Sequence, residues 1–398
     1  MKVLNEKIPI KMWLKDIEAG ALDQAKNLAE LPFAFKHIAI MPDSHQGYGM
    51  PIGGVLATKG VIIPNAVGVD IGCGMCAVKT SLTEIDTETL KKIMGGCKEY
   101  QGGIRSAVPV GFNKHKKSQS MDWEEQFEGE IPEICMENWE NASKSIGTLG
   151  GGNHFIEIQK GDDGFIWIMI HSGSRNLGFK VAEHYNKLAK ELNKKWYSEV
   201  SSKVDLAFLP LKTEEAYDYI REMDYCIDYA LANRKLMMDR VQEVFYKNIY
   251  DAVDNIKCDF EPMINIAHNY ARMENHFGEN VIIHRKGATS AKKGEVGIIP
   301  GSQGTCSYIV EGLGNPESFS SCSHGAGRKM SRTKAKEELN LEDEIAILDK
   351  QGIIHGIRSV KELDEASGAY KDIDEVMENQ KDLVKIKVKL IPLAVIKG

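Results

Sequence analysis

The sequence predicts a mixed α+β fold that forms one catalytic domain over residues 1–398, with a helical insertion at about residues 179–260. Short apolar runs end where polar, chemically capable residues begin, which is typical of buried strands that present groups at their ends. A central stretch instead repeats its apolar residues every three or four positions, as helices do. Candidate site residues extend from position 70 to position 397, so their convergence would involve most of the chain.

Four apolar runs predict strands that lead into candidate site residues. The runs are His37–Met41 before Asp43 and His45, Phe165–Ile170 before His171, Met263–Ala267 before His268, and Val281–Ile283 before His284. Near the end of the chain, Lys385–Leu390 alternates charged and apolar residues. That alternation predicts a half-exposed strand.

Two helices are predicted between His171 and His268. The apolar face of the first contains Val181, Tyr185, Leu188 and Leu192, and the face of the longer second helix contains Ile220, Met223, Ile227, Leu231, Met238 and Val241. Thr213 is a candidate N-cap for the second helix.

Composition is that of an ordinary globular protein, with 42% hydrophobic and 27% charged residues. A net charge of −7 argues against a protein that is basic over its whole surface, although one basic cleft is compatible with it. The first residues resemble no secretion signal, and no run approaches the ~18 apolar residues of a membrane span. We therefore expect a cytoplasmic protein without a membrane partner, whose eight cysteines are mostly reduced. A zinc half-site or redox pair at Cys73-Gly-Met-Cys76 is the alternative for two of them.

Glycine-flanked segments contain a candidate set of metal ligands. The set is Asp70, Cys73, His154, His171 and His268. Carboxylate, thiolate and imidazole together suit a pair of Mn²⁺- or Zn²⁺-like ions, and a thiolate such as Cys73 can bridge two ions. Taken singly, each histidine is more simply a core or surface residue. The HExxH pattern of zinc proteases is missing.

His324 is the best candidate for a covalent nucleophile. It lies in Ser323-His-Gly-Ala-Gly-Arg328, where glycines leave the imidazole accessible and Arg328 can neutralise phosphate. Attack on an α-phosphorus would give a phosphoramidate and divide one transfer into two steps. A structural histidine is the alternative. Gly150–Gly152, and Pro300–Gln303 with Ser307, are either contacts to a nucleotide or plain turns.

Basic residues within these segments indicate contacts to a phosphate backbone. The strongest candidates are Arg175, Arg285, Lys286 and Arg328, while Lys114–Lys117 adds a second basic run. Phosphate binding requires local density of positive charge and not a basic protein. A solvated surface is the simpler interpretation for most of the lysines.

Taken in order, these motifs resemble the RtcB family of RNA-splicing ligases over nearly the whole chain. The residues that carry the resemblance are Met41–Gly47, Val67–Met75, Gly151–Phe155, His171–Arg175, His268–Tyr270, Arg285–Ala288, Pro300–Ser302, Ser323–Arg328 and Lys397–Gly398. The resemblance implies an RtcB-like catalytic domain and a ligase that depends on GTP and Mn²⁺, or on another divalent ion. Its partner would be RNA ending in a 3′-phosphate or 2′,3′-cyclic phosphate together with RNA beginning with a 5′-hydroxyl, and an archease-type protein is a candidate activator.

The resemblance also assigns roles to residues. One Mn²⁺ would be held by Asp70, Cys73 and His154, and the second by Cys73, His171 and His268. His324 would carry GMP. The residues implied for guanylate binding are Asn153, His154, Phe155, Ile156, Glu157, His268, Asn269, Pro300, Gly301, Ser302, Gln303, Ser307, His324, Gly325, Ala326, Gly327, Tyr370 and Lys397. Tyr370 resembles the tyrosine that stacks on the base.

Two other functions use part of the same set of residues. A two-metal phosphoesterase acting on RNA ends would need the ions but neither His324 nor a guanine pocket. A non-catalytic RNA-binding subunit would be expected to lack a metal ligand or the nucleophile, and this chain has all of them. The natural RNA, from tRNA splicing or from RNA damage, is not decided by the sequence.

Overall fold

Two large β-sheets form the framework of the protein in the computed structural model, which describes residues 1–96, 100–119, 130–252 and 258–398. The strands of the described residues are β1 (Lys2–Leu4), β2 (Ile10–Met12), β3 (Ala34–His45), β4 (Ile52–Thr58), β5 (Val61–Ile62), β6 (Gly74–Lys79), β7 (Phe155–Gly161), β8 (Ile166–Ser172), β9 (Leu209–Pro210), β10 (Ile264–Ala267), β11 (Asn269–His276), β12 (Glu279–Lys286), β13 (Ala288–Ser290), β14 (Val296–Ile299), β15 (Ser307–Gly312), β16 (Ser321–Ser323) and β17 (Val384–Lys397). The helices are α1 (Ala19–Ala29), α2 (Pro64–Val67), α3 (Thr87–Met94), α4 (Ile104–Ala107), α5 (Glu133–Glu137), α6 (Trp139–Ser145), α7 (Leu177–Lys195), α8 (Glu214–Ala252), α9 (Arg332–Glu338), α10 (Leu341–Lys350) and α11 (Ile373–Asn379).

The chain passes from one sheet to the other at His268. The first sheet has the strand order β1-β2-β3-β4-β12-β11, and the second has the order β10-β6-β8-β7-β17-β15-β14. Strand β10 of the second sheet ends at Ala267, and strand β11 of the first sheet begins at Asn269. His268 is therefore the single residue that joins these two strands. A shared apolar cluster, which includes Val55 and Ile283 from the first sheet and Ile299 and Val310 from the second, joins the sheets.

The predicted helical region is present as α7 and α8. Val181 and Tyr185 of α7 are buried, as are Met223 and Ile227 of α8. The Thr213 hydroxyl accepts a hydrogen bond from the backbone N–H of Ala216 at 3.3 Å, which confirms the N-cap. Helix α8 packs against β6, β8 and β10, and so supports the strands from behind. The description of this region as an insertion stays a prediction, as does the single domain over 1–398, and residues 253–257 of the predicted range lie outside the described residues.

The predicted strands are confirmed, although the last one lacks the expected alternation of exposure. Residues 385–387 of β17 are all exposed, and Ile386 is among them. Ile386 pairs with Val310 whereas Val388 pairs with Ile309, so Lys387 is an extra residue at a bulge. A bulge of one residue turns the side chains that follow to the other face of the sheet, which explains the lost alternation. Among the described residues, none of the helices combines the length and apolarity needed to cross a bilayer.

Candidate metal and nucleotide site

Four neighbouring strands of the second sheet bring the predicted metal ligands to one edge. Antiparallel pairing places the end of β10, the start of β6, the end of β8 and the start of β7 side by side. The residues at these points are His268, Cys73, His171 and His154. Asp70 lies in the turn before β6, where the Cys73 N–H bonds to its carbonyl at 3.1 Å. Ligands far apart in sequence therefore meet because strand ends alternate across the sheet.

The ligand atoms form two groups that share Cys73. One group contains Cys73, His171 and His268, the other contains Asp70, Cys73 and His154, and within each group the ligand atoms lie within 4.8 Å of one another. The Cys73 Sγ is 3.3 Å from His171 Nε2 and 3.5 Å from His154 Nε2. The predicted ligands are thus brought together, with the thiol at the centre.

Backbone carbonyls fix the orientation of the imidazoles. Nδ1 of His154 donates to the Leu149 carbonyl at 2.9 Å, and Nδ1 of His171 donates to the Asn153 carbonyl at 3.2 Å. This leaves the lone pair of each Nε2 directed towards Cys73, which is how metal-binding histidines are usually held. Nδ1 of His268 is buried and has no hydrogen-bond partner among the described residues, so its unused lone pair also suits a ligand.

The electrostatics of the group fit divalent cations. Burial lowers the pKa values of His171 and His268 well below the usual value, which keeps both rings neutral. Burial opposes ionisation of Asp70, but hydrogen bonding and charge from His154 lower its pKa to about 2. Burial and the neighbouring Asp70 raise the pKa of Cys73 far above its usual value. A buried thiol beside a carboxylate ionises readily only when cations bind, so the donor set fits the pair of ions.

His324 is held by Asp43, to which the sequence analysis assigned no role of its own. Oδ2 of Asp43 accepts hydrogen bonds from Nδ1 of His324 at 2.6 Å, from its backbone N–H at 3.1 Å and from that of Gly325 at 3.3 Å. Burial disfavours the Asp43 carboxylate, but the adjacent His324 lowers the pKa of Asp43. Because Nδ1 is engaged, Nε2 is the nitrogen free to react. Two sequence signals pointed to Asp43, namely its position after a predicted strand and its place in the Met41–Gly47 motif, but neither indicated a contact with His324.

The loop that contains His324 packs directly on β3. Gly327 adopts φ +74°, and a Cβ there would lie 2.1 Å from the Asp43 carbonyl oxygen. Only glycine allows this approach at such a φ without strain. The rings of His324 and His268 have centroids 4.8 Å apart. The candidate nucleophile therefore lies beside the candidate metal centre.

A cavity of about 170 Å³ adjoins His324 and contains most of the predicted guanylate-binding residues. The predicted residues that line it are Asn153, Phe155, Glu157, His171, Pro300, Gly301, Ser302, Gln303, His324, Gly325, Ala326, Gly327, Arg328, Tyr370 and Lys397. His268 and Asn269 line the neighbouring cavity instead. The Ile156 side chain packs in the apolar core, and Ser307 Oγ accepts from the Gly301 N–H at 3.1 Å. The Ile156 side chain therefore belongs to the core, its implied place in the guanylate-binding segment stays a prediction, and Ser307 acts on the loop that lines the cavity.

Glu365 organises one wall of this cavity and was also missed. Its carboxylate accepts from Arg328 Nη1 at 3.2 Å, from Arg332 Nε at 2.8 Å and from the Tyr370 hydroxyl. The guanidinium of Arg328 lies 5.2 Å from the Tyr370 ring centroid. Glu365 thereby fixes the ring that is predicted to stack on the base. A lone glutamate outside the glycine motifs gave no signal in the sequence.

A larger cavity of about 650 Å³ meets the first one at His324. It is lined by Asp70, Cys73 and His268 from the metal centre, and it includes Lys286. His45, Ile52, Asn153, His324, Arg328 and Arg332 line both cavities. His324 thus stands between a space lined by nucleotide-binding candidates and a space lined by metal ligands.

The basic residues predicted to contact RNA differ in their placement. Arg328 lines both cavities, while Nζ of Lys286 donates to the carbonyls of Tyr48 and Asn65 at 2.6 and 3.1 Å. Burial lowers the pKa of Lys286 to about 7. Arg175 is partly buried, and its Nε donates to Thr148 Oγ1 at 3.2 Å. Of the four, Lys286 and Arg328 line a cavity, and Arg328 lines both.

The prediction for Arg285 is wrong. Its side chain is fully buried, and Nη1 lies 2.5 Å from Glu274 Oε1. The same guanidinium donates to Ser321 Oγ and to the Phe319 carbonyl. Arg285 and Glu274 lie on adjacent strands, β12 and β11, so the hairpin itself provides the partner. Arg285 is a structural residue and has no surface to offer a phosphate.

Glu274→Ala is expected to lower the free energy of unfolding by about 3–5 kcal/mol, because it leaves a buried guanidinium without its carboxylate. Urea denaturation followed by circular dichroism measures the effect. Glu279→Ala is the matched control, since Glu279 is exposed on the same hairpin and pairs with Lys59 at 3.2 Å. It should cost only about 0–1 kcal/mol. Equal losses in the two variants would contradict the structural role of Arg285.

Glu157, which lines the nucleotide cavity, is expected to make the free energy of unfolding of the protein depend on pH. Burial raises the pKa of its carboxyl to about 8, against an ordinary value of 4.5, although Lys397 and Gln159 lower it. Between about pH 4.5 and about pH 8, Glu157 therefore stays protonated in the folded protein but ionises in the unfolded chain. The free energy of unfolding falls as the pH rises through this window. In nucleotide-free protein, Glu157→Gln should raise the melting temperature above that of the wild type at the alkaline end of this window and not at the acidic end. Parallel melting curves across the window would contradict the assignment. Lys397 is present in both proteins, so the difference reports on Glu157.

Comparison with known proteins adds an independent finding. A family model described as "tRNA-splicing ligase RtcB" matches residues 24–398. The chain is 41% identical over 411 residues to an "RNA-splicing ligase RtcB" of Escherichia coli strain K12, which covers 99% of this chain and 98% of that protein. It is 31% identical over 440 residues to a "tRNA-splicing ligase RtcB" of Thermococcus kodakarensis, covering 95% of this chain and 91% of that protein.

Proposed function

The chain belongs to the RtcB family of RNA ligases, and we propose that it uses GTP and two Mn²⁺ ions, or another divalent metal, to join RNA ends. The ends are a 2′,3′-cyclic phosphate or 3′-phosphate on one RNA and a 5′-hydroxyl on the other. These ends would arise in tRNA splicing and in the repair of cleaved RNA, and an archease-type protein is a proposed activator.

The observation that carries this proposal is the position of His324 between two cavities. One cavity is lined by the residues that family resemblance assigns to guanylate, and the other by Asp70, Cys73 and His268. A phosphoesterase would need the metal ligands alone. An imidazole fixed by a buried carboxylate beside a cavity lined by nucleotide-binding candidates instead favours covalent nucleotide transfer.

The first chemical step forms a bond between His324 and GMP. Nε2 of neutral His324 attacks the α-phosphorus of GTP, the bond to the β-phosphate oxygen breaks, and pyrophosphate leaves. Asp43 keeps the proton on Nδ1 and stabilises the positive charge that the ring gains, as a carboxylate does for a catalytic histidine in other enzymes. The product is a histidine–guanylate phosphoramidate.

The metal ions would be held by Asp70, Cys73 and His154 and by Cys73, His171 and His268. When bound, they neutralise phosphate oxygens and help to orient the reacting groups. Arg328, which lines both cavities, adds a fixed positive charge on the protein side.

The remaining steps transfer GMP and then release it. A cyclic phosphate is first opened by water to a 3′-phosphate. An oxygen of that phosphate attacks the phosphorus on His324 and displaces the imidazole, which gives an RNA–guanylate anhydride. The 5′-hydroxyl of the second RNA then attacks the RNA phosphate, loses its proton and displaces GMP. The result is a 3′,5′-phosphodiester.

The nucleotide cavity has groups that suit guanine. Glu157 and Lys397 both line it, and the positive charge of Lys397 opposes the rise in the pKa of the Glu157 carboxyl that burial causes. Two donors from the adjacent N1–H and N2–H groups of guanine would favour the ionised form of the Glu157 carboxyl, which can accept both hydrogen bonds, whereas adenine offers no such pair. This chemistry supports GTP as the nucleotide and not ATP.

Incubation with GTP labelled at the α-phosphate and Mn²⁺, followed by a denaturing gel, tests the proposal. We expect a covalent adduct that acid destroys and alkali preserves, as a phosphoramidate behaves. Addition of RNA with a 3′-phosphate should remove the label from the protein, and addition of 5′-hydroxyl RNA should give a joined product. Release of phosphate from RNA ends without an adduct would contradict the ligase mechanism and favour a phosphoesterase.

A further inference from the structure

Tyr48 is an exposed aromatic residue on the lining of the metal-side cavity. Its relative exposure is 73%, yet it lines the same 650 Å³ cavity as Asp70, Cys73 and His268. Within the part of the chain that the structure describes, its ring makes no aromatic contact, cation–π contact or side-chain hydrogen bond. A large exposed ring that lines a cavity beside the candidate metal centre is available to a flat ligand.

The backbone of Tyr48 is fixed although its side chain is free. Its carbonyl accepts hydrogen bonds from Lys286 Nζ at 2.6 Å and from the Met50 N–H at 2.7 Å. Gly49 follows with φ +68°, and a Cβ there would lie 2.5 Å from the Asp205 carbonyl oxygen. The buried ammonium of Lys286, predicted to contact RNA, therefore acts on the backbone that presents the ring. A rigid base with a free ring is suited to stacking, because little conformational entropy is lost when a flat partner binds.

The charges around this cavity favour a nucleic acid as the partner. Arg328, Lys329 and Arg332 line it, and Lys329 has no carboxylate partner among the described residues. The carboxylates on the lining are Glu18 and Asp70, and Asp70 is a metal-ligand candidate. Tyr48 does not line the cavity assigned to guanylate, so the GTP base is not its partner. An RNA terminus that brings its phosphate to the metal centre would bring its nucleobase into this space.

We propose that Tyr48 is a stacking platform for the terminal nucleobase of an RNA substrate at the entrance to the metal centre. The inference rests on the proposed ligase function and adds where the RNA end is held. Stacking on an aromatic face is tolerant of sequence, because every base has such a face. Both RNA ends have a terminal base, and the experiment below distinguishes them.

The test measures RNA binding by fluorescence anisotropy and joining by gel assay, with Tyr48→Ala, Tyr48→Phe and wild-type protein. We expect Tyr48→Ala to raise the Kd and the KM for RNA about 10-fold, the loss of one stacked base. Tyr48→Phe should retain wild-type values, and covalent GMP uptake without RNA should be equal in all three proteins. Tyr197→Ala is the control, because Tyr197 is also exposed, at 92%, and lines neither cavity.

RNAs that lack the terminal base identify the end that stacks. If Tyr48 contacts the 3′-terminal base, an abasic 3′-terminal nucleotide should weaken binding to the wild type and remove the difference between wild type and Tyr48→Ala. If it contacts the other RNA, only an abasic 5′-terminal nucleotide should do so. An unchanged Kd for Tyr48→Ala, or a penalty that persists with both abasic RNAs, would overturn the proposal. Normal RNA binding by Tyr48→Ala together with weaker binding of an activating protein would also overturn it, because the ring would then serve a protein partner. Failure of the wild type to form a GMP adduct while it still binds RNA through Tyr48 would reject the ligase mechanism and not this contact.

Discussion

His324→Ala is expected to reduce covalent GMP uptake to background. The substitution removes an imidazole that lines both the nucleotide cavity and the metal-side cavity and whose Nδ1 is held by a carboxylate. Without a nucleophile no phosphoramidate can form, so guanylate transfer to the protein is abolished and not merely slowed. Labelled GTP on a denaturing gel measures it directly.

Asp43→Asn is expected to slow covalent GMP uptake without abolishing it. The amide can still contact His324, but it cannot stabilise the imidazolium that forms during attack. We expect GMP uptake to proceed about 10²–10⁴-fold more slowly than in the wild type. Metal content should be unchanged in both variants, since neither residue is in the two ligand groups. Retained labelling in His324→Ala would refute the nucleophile, and loss of metal in that variant would show that the substitution disturbs more than one step.

The candidate metal ligands that the structure brings together could be selected from the sequence because most of them carry a local signal. His171 and His268 follow apolar runs, while Cys73 and His154 come directly before strands and beside glycines. A reader of the sequence can recognise a strand end even when the partner strands are unknown. What the sequence does not show is the order β10-β6-β8-β7, which converts four separate ends into one edge.

Asp43 and Arg285 show the limit of such reasoning. Asp43 lies 281 residues before His324, and their contact depends on the packing of a loop against β3. Arg285 stands in a motif beside Lys286, so its charge suggested a phosphate, but successive residues of a strand point to opposite faces. The face of Arg285 is occupied by Glu274 from the adjacent strand. Deciding between these faces requires the register of β11 on β12.

The helices illustrate the opposite case. Periodicity predicted α7 and α8 well, because the apolar residues on the buried face of an amphipathic helix repeat every three or four positions in its own sequence. Their position behind β6, β8 and β10 could not be read in the same way. Packing between distant elements is a property of the whole fold, whereas periodicity is local.

Cys73→Ala is expected to lose both metal ions together. The Cys73 Sγ belongs to both ligand groups and lies within 3.5 Å of two imidazole nitrogens. Its removal leaves each site with two protein ligands and removes the negative charge that would lie between the cations. Loss of a hydrogen-bonding partner of a ligand already costs about 10–100-fold in metal affinity, so loss of a shared ligand should cost more at both sites. Metal content after gel filtration, measured by mass spectrometry, gives the stoichiometry.

Two further variants make the stoichiometry decisive. Asp70→Ala should lose one ion and keep the other, because Asp70 belongs to one ligand group only. Cys76→Ala should keep both, since Cys76 lies three residues further along in the apolar core and belongs to neither group. If Cys73→Ala retains one ion, the thiolate serves a single site.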